Sequence, residues 1–340
     1  MNLRTKGILK RLIYRLNDNP ISKQIYKNDI KRRSKLTLTD IYKLSKHIGI
    51  FSPYTNEIHA SNDFYGHASV LKEYINLPDN YQFKFAIEHG VTFANRICNL
   101  ETEIDMPSII TPSNFRKNIL KKHAKMVFSI GPYIHYAKNY LSEKGLSRER
   151  KRLGSNLLVF PTHSTPDIIC DYNANEFCTV ISKMGKQFDS VRICLYWKDI
   201  IRGFGKIYKN YGFECVTAGH VFDPLFLPRL RSIIETSTFT ASNDAGTHIG
   251  YCIYLNKPHY MYFQKPAFSG RRSEKILVEN IYKSAIYKNI IDAFSKFGRN
   301  ISAQQKNIID KYWGLSEIKT KKELQNIVKL TEEIYLSNKK

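Results

Sequence analysis

The strongest constraint on the fold is the alternation of short apolar runs with longer helical stretches through residues 156–263. Apolar runs suited to buried strands occupy residues 156–160, 192–196, 214–217, 238–242 and 259–263. Helical stretches lie between them at residues 174–184, 200–211 and 224–235, and another starts at Gly246. Such a series forms a parallel sheet, because each helix carries the chain back to the start of the next strand. We therefore predict a doubly wound α/β domain that binds ligands at the carboxyl ends of its strands.

A weaker form of the same alternation precedes this region. It predicts strands near residues 48–52, 83–87, 108–111 and 126–130, and helices at 63–75 and 114–123. Residues 142–154 are polar and charged, as expected of a linker between domains. Because 340 residues exceed one typical core, we expect two α/β domains. The expected divisions are an N-terminal segment 1–36, a first domain 37–145, a second domain 155–275 and C-terminal helices 276–340.

The net charge of the chain favours anionic partners. There are 53 Lys and Arg against 30 Asp and Glu, which gives a formal net charge of +23. Nucleic acid, anionic lipid and phosphorylated substrates are all compatible with this charge. We find no RRM, KH, zinc-finger or helix-turn-helix signature. A nucleic-acid-binding function would therefore explain the net charge but none of the other sequence features. It stays the alternative from another functional class.

The N-terminal segment predicts a short basic amphipathic helix. Leu9, Leu12, Ile13 and Leu16 recur at helical spacing among lysines and arginines. Two interpretations are open: the helix packs on its own domain, or it docks on an anionic membrane surface. No apolar run reaches the roughly 18–20 residues of a membrane span, and the N-terminus does not resemble a secretory signal. We therefore expect a cytoplasmic protein, peripheral on the inner face of the membrane if the helix docks.

The segment after the fourth strand of the second domain predicts an anion site. A strand that ends in polar residues runs into a Gly-Thr step at a helix start, where free backbone N–H groups and the helix dipole attract phosphate. A plain capped turn between strand and helix is the structural alternative. The candidate donor-binding residues in this segment are Ser242, Asn243, Asp244, Gly246, Thr247 and His248.

Two other strand ends carry polar residues that face the same expected edge. His163, Ser164 and Thr165 follow the first strand of the second domain and offer hydroxyl and imidazole groups to a phosphate or a base and ribose. Lys198 follows the next strand and is a candidate counter-charge to a diphosphate leaving group. The structural alternatives are a helix-capping cluster and an ordinary surface lysine.

In the first domain, the predicted strand 83–87 runs into Glu88, His89 and Gly90. An acid and an imidazole at the carboxyl end of a strand suit general-base catalysis. We favour His89, since an imidazole with an ordinary pKa of about 6.5 is ready at neutral pH. Glu88 then either orients His89 or is itself the base. A structural histidine at a helix cap is the alternative.

These motifs resemble those of bacterial GT-B glycosyltransferases and their relatives, among them heptosyltransferases, nucleotide-sugar 2-epimerases and CDP-glycerol glycerophosphotransferases. The resemblance covers roughly residues 156–263 and includes the polar Gly246 turn and the Asn256-Lys257-Pro258 step before the last strand. Glu88-His89-Gly90 also resembles the acidic-Gly element of sialyltransferases and the His-Gly element of glycerophosphotransferases, where the base lies.

The resemblance implies an α/β fold of two Rossmann-like, doubly wound domains facing a cleft. It also implies a nucleotide-sugar-dependent glycosyltransferase with an acceptor-binding first domain and a donor-binding second domain. Its implied acceptor is a lipid-linked glycan or a surface polysaccharide such as capsule or lipopolysaccharide. The chain has no Asp-x-Asp motif, so we expect neither a metal nor another cofactor, and a single base favours inversion. Walker, GxSxG, zinc-ligand and GxGxxG patterns are also missing from the sequence. A CDP-polyol phosphotransferase and a nucleotide-sugar epimerase of the same fold stay open as alternatives.

Overall fold

The computed structural model describes residues 19–49, 57–93, 106–122, 126–165, 168–270 and 279–337. These residues form two parallel sheets and an antiparallel strand pair, flanked by helices. The α/β class with parallel sheets is thereby confirmed. The expected amphipathic helix around Leu9 to Leu16 and most of the expected strand 48–52 lie outside the described residues.

The second sheet has five parallel strands in the order β7-β6-β4-β8-β9. Its members are β4 (Asn156–Phe160), β6 (Ser190–Cys194), β7 (Glu214–Val216), β8 (Phe239–Ser242) and β9 (His259–Met261). All five residues of β4 are buried, because helices cover both faces of the sheet. The strand order reverses between β4 and β8, and this reversal is the topological switch point of a Rossmann-type sheet.

Except for the first, which lies where a linker was expected, the helices of this half are close to their predicted positions. They are α5 (Glu143–Leu153), α6 (Ala174–Gly185), α7 (Trp197–Ile201), α8 (Phe204–Asn210), α9 (Phe226–Glu235) and α10 (Thr247–Tyr254). The predicted helix 200–211 is two helices, because Gly203 adopts a left-handed φ of 93° between them. The expected linker 142–154 is helix α5, whose Leu146 and Leu153 are buried and whose Arg152 pairs with Glu214.

The first sheet is smaller, with three parallel strands in the order β1-β2-β3. These are β1 (Ala86–Ile87), β2 (Ile109–Thr111) and β3 (Val127–Ser129). Its helices are α2 (Ile41–Leu44), α3 (His67–Ile75) and α4 (Asn114–Leu120), with 3-10 turns at Ala60–Gly66 and Tyr133–Tyr136. One hydrophobic core runs through both halves: Phe83 and Ile110 belong to the same buried cluster as Leu158 and Ile233. The two sheets are therefore packed together at their interface.

Three further features lie outside the two sheets. Helix α1 (Pro20–Arg33) begins as the sequence predicts, with Asn19 accepting a hydrogen bond from the Ser22 N–H at 2.8 Å. The antiparallel pair β5 (Ile168–Asp171) and β10 (Ala267–Gly270) was not predicted. The C-terminal helices are α11 (Ala285–Phe294), α12 (Ala303–Trp313) and α13 (Lys321–Ser337), with a 3-10 turn at Leu315–Glu317. Among the residues that the structure describes, no helix combines the length and apolar character needed to cross a bilayer.

Candidate functional site

A cavity of about 140 Å³ lies at the carboxyl edge of the second sheet, beside the switch point. The wall from the second half of the chain includes Phe160, Pro161, His163, Tyr196, Thr247 and His248. The wall from the first half contains Tyr65, His67 and Gly90. The cavity therefore lies between the two sheets, at the position where Rossmann-type folds bind ligands.

The β8–α10 turn is held by internal hydrogen bonds. Ser242 is fully buried and donates its hydroxyl to the Asp244 carbonyl at 2.8 Å. Asn243 is also fully buried, and its Oδ1 accepts the Thr162 N–H at 2.6 Å. Because Phe160 and Ser242 are register partners, this bond continues the β4–β8 pairing beyond the strands. Ser242 and Asn243 thus fix the two strand ends relative to each other.

Asp244 connects the turn to the C-terminal part of the chain. Its carboxylate accepts hydrogen bonds from the hydroxyls of Tyr282, Tyr287 and Thr162 and from the Ala245 N–H. Burial raises the pKa of Asp244 from 3.8 to about 7, although the hydrogen bonds from Tyr282, Ala245 and Thr162 act in the opposite direction. With four donors already on it, this side chain shapes the turn from within.

Gly246 and Thr247 begin helix α10 at the cavity. Gly246 has an extended backbone (φ −159°, ψ 174°), and a Cβ there would lie 2.8 Å from Nδ1 of His248. The Thr247 Oγ1 accepts the Val91 N–H at 3.1 Å, which joins the helix start to the segment after β1. The first N–H groups of a helix have no partner within it and attract anions. The turn therefore presents a helix N-terminus to the first half of the chain.

His163 and His248 occupy the rim and the wall of the cavity. The exposed His163 ring lies against Tyr196, with 4.3 Å between the ring centroids. The His248 ring stacks on Phe160 at 4.7 Å and 19°. Its Nε2 is buried and has no hydrogen-bond partner among the described residues. Burial, followed by the neighbouring His259 and His163, holds the pKa of His248 well below its usual value.

Ser164, Thr165 and Lys198 make contacts away from the cavity. Ser164 is buried and donates its hydroxyl to Asp199 at 2.8 Å, and Arg202 donates to the Ser164 Oγ at 2.7 Å. The Lys198 ammonium donates to the Thr165 carbonyl. The structure thus separates these three residues from the cavity wall, which includes His163, Thr247 and His248.

Glu88 lies at the carboxyl end of β1 in a buried ion pair with Arg116, and the two side chains are only 4% and 3% exposed. Its Oε2 accepts the Thr111 hydroxyl at 2.6 Å, and its backbone carbonyl accepts the Tyr133 hydroxyl at 2.8 Å. His89, by contrast, is exposed and meets Phe64 edge to face at 4.8 Å. Of the two predicted catalytic residues, His89 is the one open to an acceptor.

The sequence interpretation missed Tyr65 and His67 on the cavity wall. Tyr65 adopts a left-handed φ of 57°, which is strained for a residue with a bulky side chain, and its N–H donates to the Val221 carbonyl at 2.6 Å. The following Gly66 has a φ of 73°, and a Cβ there would lie 2.4 Å from the Pro224 carbonyl oxygen. This turn places His67 at the first position of α3. A Tyr-Gly-His triplet before a helix is the only local sign of it.

Two further kinds of chemistry, a thiol nucleophile and a bound metal ion, bear on the site. Cys194 lines the cavity, but burial raises the pKa of its thiol to about 12, so it is a neutral thiol rather than a thiolate nucleophile. In the described part of the chain, no group of three or more His, Cys, Asp and Glu side chains is arranged to hold a metal ion. The expectation of a reaction without a metal or cofactor stays a prediction.

Comparison with known proteins finds no matching family model and no matching curated protein. Among solved structures, the chain is similar to the wall teichoic acid polymerase TagF, with 12% identity, 68% of this chain and 59% of that chain covered, and a TM-score of 0.39. It is also similar to the E. coli ADP-heptose LPS heptosyltransferase II, with 10% identity, 59% of this chain and 79% of that chain covered, and a TM-score of 0.29. A third similar structure is the UDP-GlcNAc 2-epimerase from Methanocaldococcus jannaschii, with 11% identity, 78% of this chain and 89% of that chain covered, and a TM-score of 0.38.

The chain thus spans about three fifths (59%) of the length of the TagF chain. All three TM-scores are low, so the fold of this protein is defined by its own strand order and register.

Proposed function

We propose that this protein is a glycosyltransferase that moves a sugar from a nucleotide donor to a glycan acceptor. One observation carries the proposal. Thr247 at the N-terminus of α10, beside the switch point of the second sheet, and Gly90, which follows the exposed His89 after β1 of the first sheet, line a single cavity from opposite halves of the chain. The Val91 N–H donates to the Thr247 hydroxyl, so the segment after β1 and the start of α10 are held against each other beside this cavity.

Each side of the cavity supplies one part of the transfer. His89 takes the proton from the acceptor hydroxyl as that oxygen forms a bond to the anomeric carbon. The bond between the anomeric carbon and the donor phosphate oxygen breaks, and the nucleotide leaves with the electron pair. The N–H groups that begin α10 stabilise the negative charge that develops on the leaving phosphate. A single displacement of this kind inverts the anomeric centre.

The other predicted residues support this arrangement without touching the donor. Ser242, Asn243 and Asp244 fix the turn that carries Gly246, since their polar groups are bonded within the protein. Glu88 holds the end of β1 through Arg116 and thereby positions His89. The cavity of about 140 Å³ is smaller than the roughly 300 Å³ of a small ligand pocket, so it holds only part of the donor. The nucleotide then extends over the rim at His163.

The acceptor that fits the remaining sequence features is a lipid-linked or growing surface polysaccharide, as in capsule or lipopolysaccharide synthesis. The basic, amphipathic residues 1–16 would hold the enzyme on the anionic inner face of the membrane where such acceptors are made.

Product analysis tests the reaction class. The protein is incubated with UDP-, GDP-, ADP- and CMP-linked sugars and with CDP-glycerol, with a lipid-linked glycan extract as acceptor, and the products are resolved by mass. A glycosyltransferase releases the nucleotide and extends the acceptor by one sugar. A polyol phosphotransferase releases CMP from CDP-glycerol, and an epimerase converts a nucleotide sugar into its isomer without an acceptor; either result would replace the proposal.

A further inference from the structure

Two histidines from opposite halves of the chain line the same cavity. His67 begins helix α3 of the first half, and His248 is the second residue of α10 in the second half. The Nδ1 of His67 and the Nε2 of His248 are both buried, and neither has a hydrogen-bond partner among the described residues. Buried polar atoms in native proteins are normally hydrogen-bonded, so two such atoms on one cavity indicate a polar ligand.

We propose that His67 and His248 together bind the transferred sugar ring of the donor, each through one hydrogen bond to a ring hydroxyl. This inference rests on the proposed glycosyl transfer for the identity of the donor. It adds a sugar subsite in which one imidazole comes from each half of the chain.

The chemistry of the wall selects an uncharged ligand. Within the described residues, no Lys, Arg, Asp or Glu side chain lines the cavity, although the whole chain carries a net charge of +23. Burial lowers the pKa of His67 to about 3 and also holds the pKa of His248 far below neutrality, so both imidazoles are neutral. A neutral imidazole offers one donor and one acceptor, whereas a phosphate requires cations or several N–H groups. A hydroxyl matches either tautomer, because it both donates and accepts.

The size and shape of the cavity also fit one sugar ring. Its volume of about 140 Å³ is well below the roughly 300 Å³ of a small-ligand pocket, which suits one ring of the donor rather than the whole nucleotide sugar. The rings of Phe160, Tyr65 and Tyr251 form part of its wall and can pack against the C–H groups of a sugar. The anomeric carbon would then lie between the Gly90 side and the start of α10.

The strained turn before α3 supports a functional role for His67. Tyr65 and Gly66 both have left-handed backbones, and the Gly66 Cα approaches the Pro224 carbonyl too closely for any side chain. The His67 ring then packs on Tyr133 at 4.4 Å between centroids. Backbone strain in a turn beside a cavity is typical of a binding site.

The test compares three phenylalanine variants with the wild type. His67→Phe and His248→Phe keep an aromatic ring for packing but remove the imidazole nitrogens. His220→Phe is the matched control, because His220 is as fully buried as His67 and its Nε2 has no partner among the described residues, yet it lies outside the cavity wall. Calorimetry measures the affinity of each variant for the nucleotide sugar that binds the wild type, drawn from UDP-GlcNAc, UDP-glucose, GDP-mannose and ADP-heptose, and for the matching free nucleotide.

We expect His67→Phe and His248→Phe each to bind the nucleotide sugar about tenfold more weakly, as for one lost hydrogen bond, with unchanged affinity for the free nucleotide. His220→Phe should bind both ligands as the wild type does. Equal loss for the free nucleotide, or no loss for the nucleotide sugar, overturns the subsite and leaves the proposed function standing. A thermal melt of each variant confirms that it is folded.

A second measurement keeps the subsite testable if no nucleotide sugar binds, an outcome that would count against the proposed function itself. Saturation-transfer NMR with free glucose, galactose, mannose and N-acetylglucosamine detects the sugar site alone. Binding that His67→Phe abolishes and His220→Phe preserves supports the subsite. No binding of any free sugar or nucleotide sugar overturns it.

Discussion

The structure predicts opposite consequences for substituting the two neighbours Glu88 and His89. Glu88→Gln removes the charge that pairs with Arg116 but keeps an oxygen for the Thr111 hydroxyl. Since both members of the pair are buried, breaking it by removing one charge should cost about 3–5 kcal/mol. That is a large fraction of the roughly 5–15 kcal/mol that stabilises a typical domain. His89→Gln lies at an exposed position and should change the free energy of unfolding by no more than about 0.5 kcal/mol.

Urea denaturation followed by circular dichroism measures both effects, and product formation is followed in parallel below the unfolding range. Glu88→Gln should lower the transition midpoint and leave the slope unchanged, since the exposed surface is the same. The double variant Glu88→Leu, Arg116→Met should recover most of the loss, because an apolar pair removes both buried charges. His89→Gln should instead lose turnover by about 10²–10⁴-fold while it retains donor affinity.

The pattern that refutes this reasoning is specific. If Glu88→Gln has wild-type stability and no turnover, Glu88 is the base and its contact with Arg116 adjusts its reactivity. If both variants turn over normally, the base lies elsewhere, and the exposed His163 on the cavity rim is the next residue to substitute.

Three further predictions concern the β8–α10 turn and the N-terminal segment. Gly246→Val should fold, because the extended backbone at this position accepts a β-branched residue. Its Cβ would lie 2.8 Å from the His248 ring and displace it, so nucleotide affinity should fall at least tenfold. Unchanged affinity in calorimetry would remove the turn from the site. Because burial raises the pKa of Asp244 to about 7, the folded protein binds that proton more tightly than the unfolded chain, so stability should fall by about 4 kcal/mol as pH rises from about 4 to 7. Asp244→Asn should flatten this dependence in urea titrations, and parallel wild-type and variant curves would contradict it. The full chain should bind anionic liposomes, and this binding should weaken as salt is added. Deletion of residues 1–16 keeps the Asn19 cap of α1 and should abolish the binding. Equal binding by the shortened chain would exclude a membrane role for this segment.

Much of the second half of the chain follows from local sequence signals. The strand β4 and the start of α1 coincide with their predicted bounds, because a continuous apolar run and an Asn-Pro cap each act within a few residues. The β5–β10 pair could not be predicted this way, since its partners, Ile168–Asp171 and Ala267–Gly270, are far apart in sequence. The break at Gly203 was missed because an isolated glycine in a helical pattern is often tolerated.

Site residues could be predicted from the sequence where they directly follow a strand. They were missed where tertiary contacts decide which side chains reach the cavity. His163, Thr247 and His248 follow from the rule that ligands bind at the carboxyl ends of parallel strands. Whether a polar residue at such an end faces the cavity or the protein is set by its neighbours: Asp199 and Arg202 hold Ser164, and Tyr282 and Tyr287 hold Asp244. His67 enters the cavity only because Gly66 packs against the backbone of Pro224.

The most direct test of a nucleotide-sugar site between the two sheets is hydrogen exchange, measured by mass spectrometry with and without the nucleotide sugar that protects the protein most from heat. Binding at the cavity predicts slower exchange in peptides that cover residues 160–165, 243–251 and 88–91, which carry the ends of β4, β8 and β1. Peptides that cover the lysine-rich helix α1 should exchange at the same rate with and without the nucleotide sugar. No protection by any nucleotide sugar, or protection confined to α1 and other basic surfaces, would contradict the account.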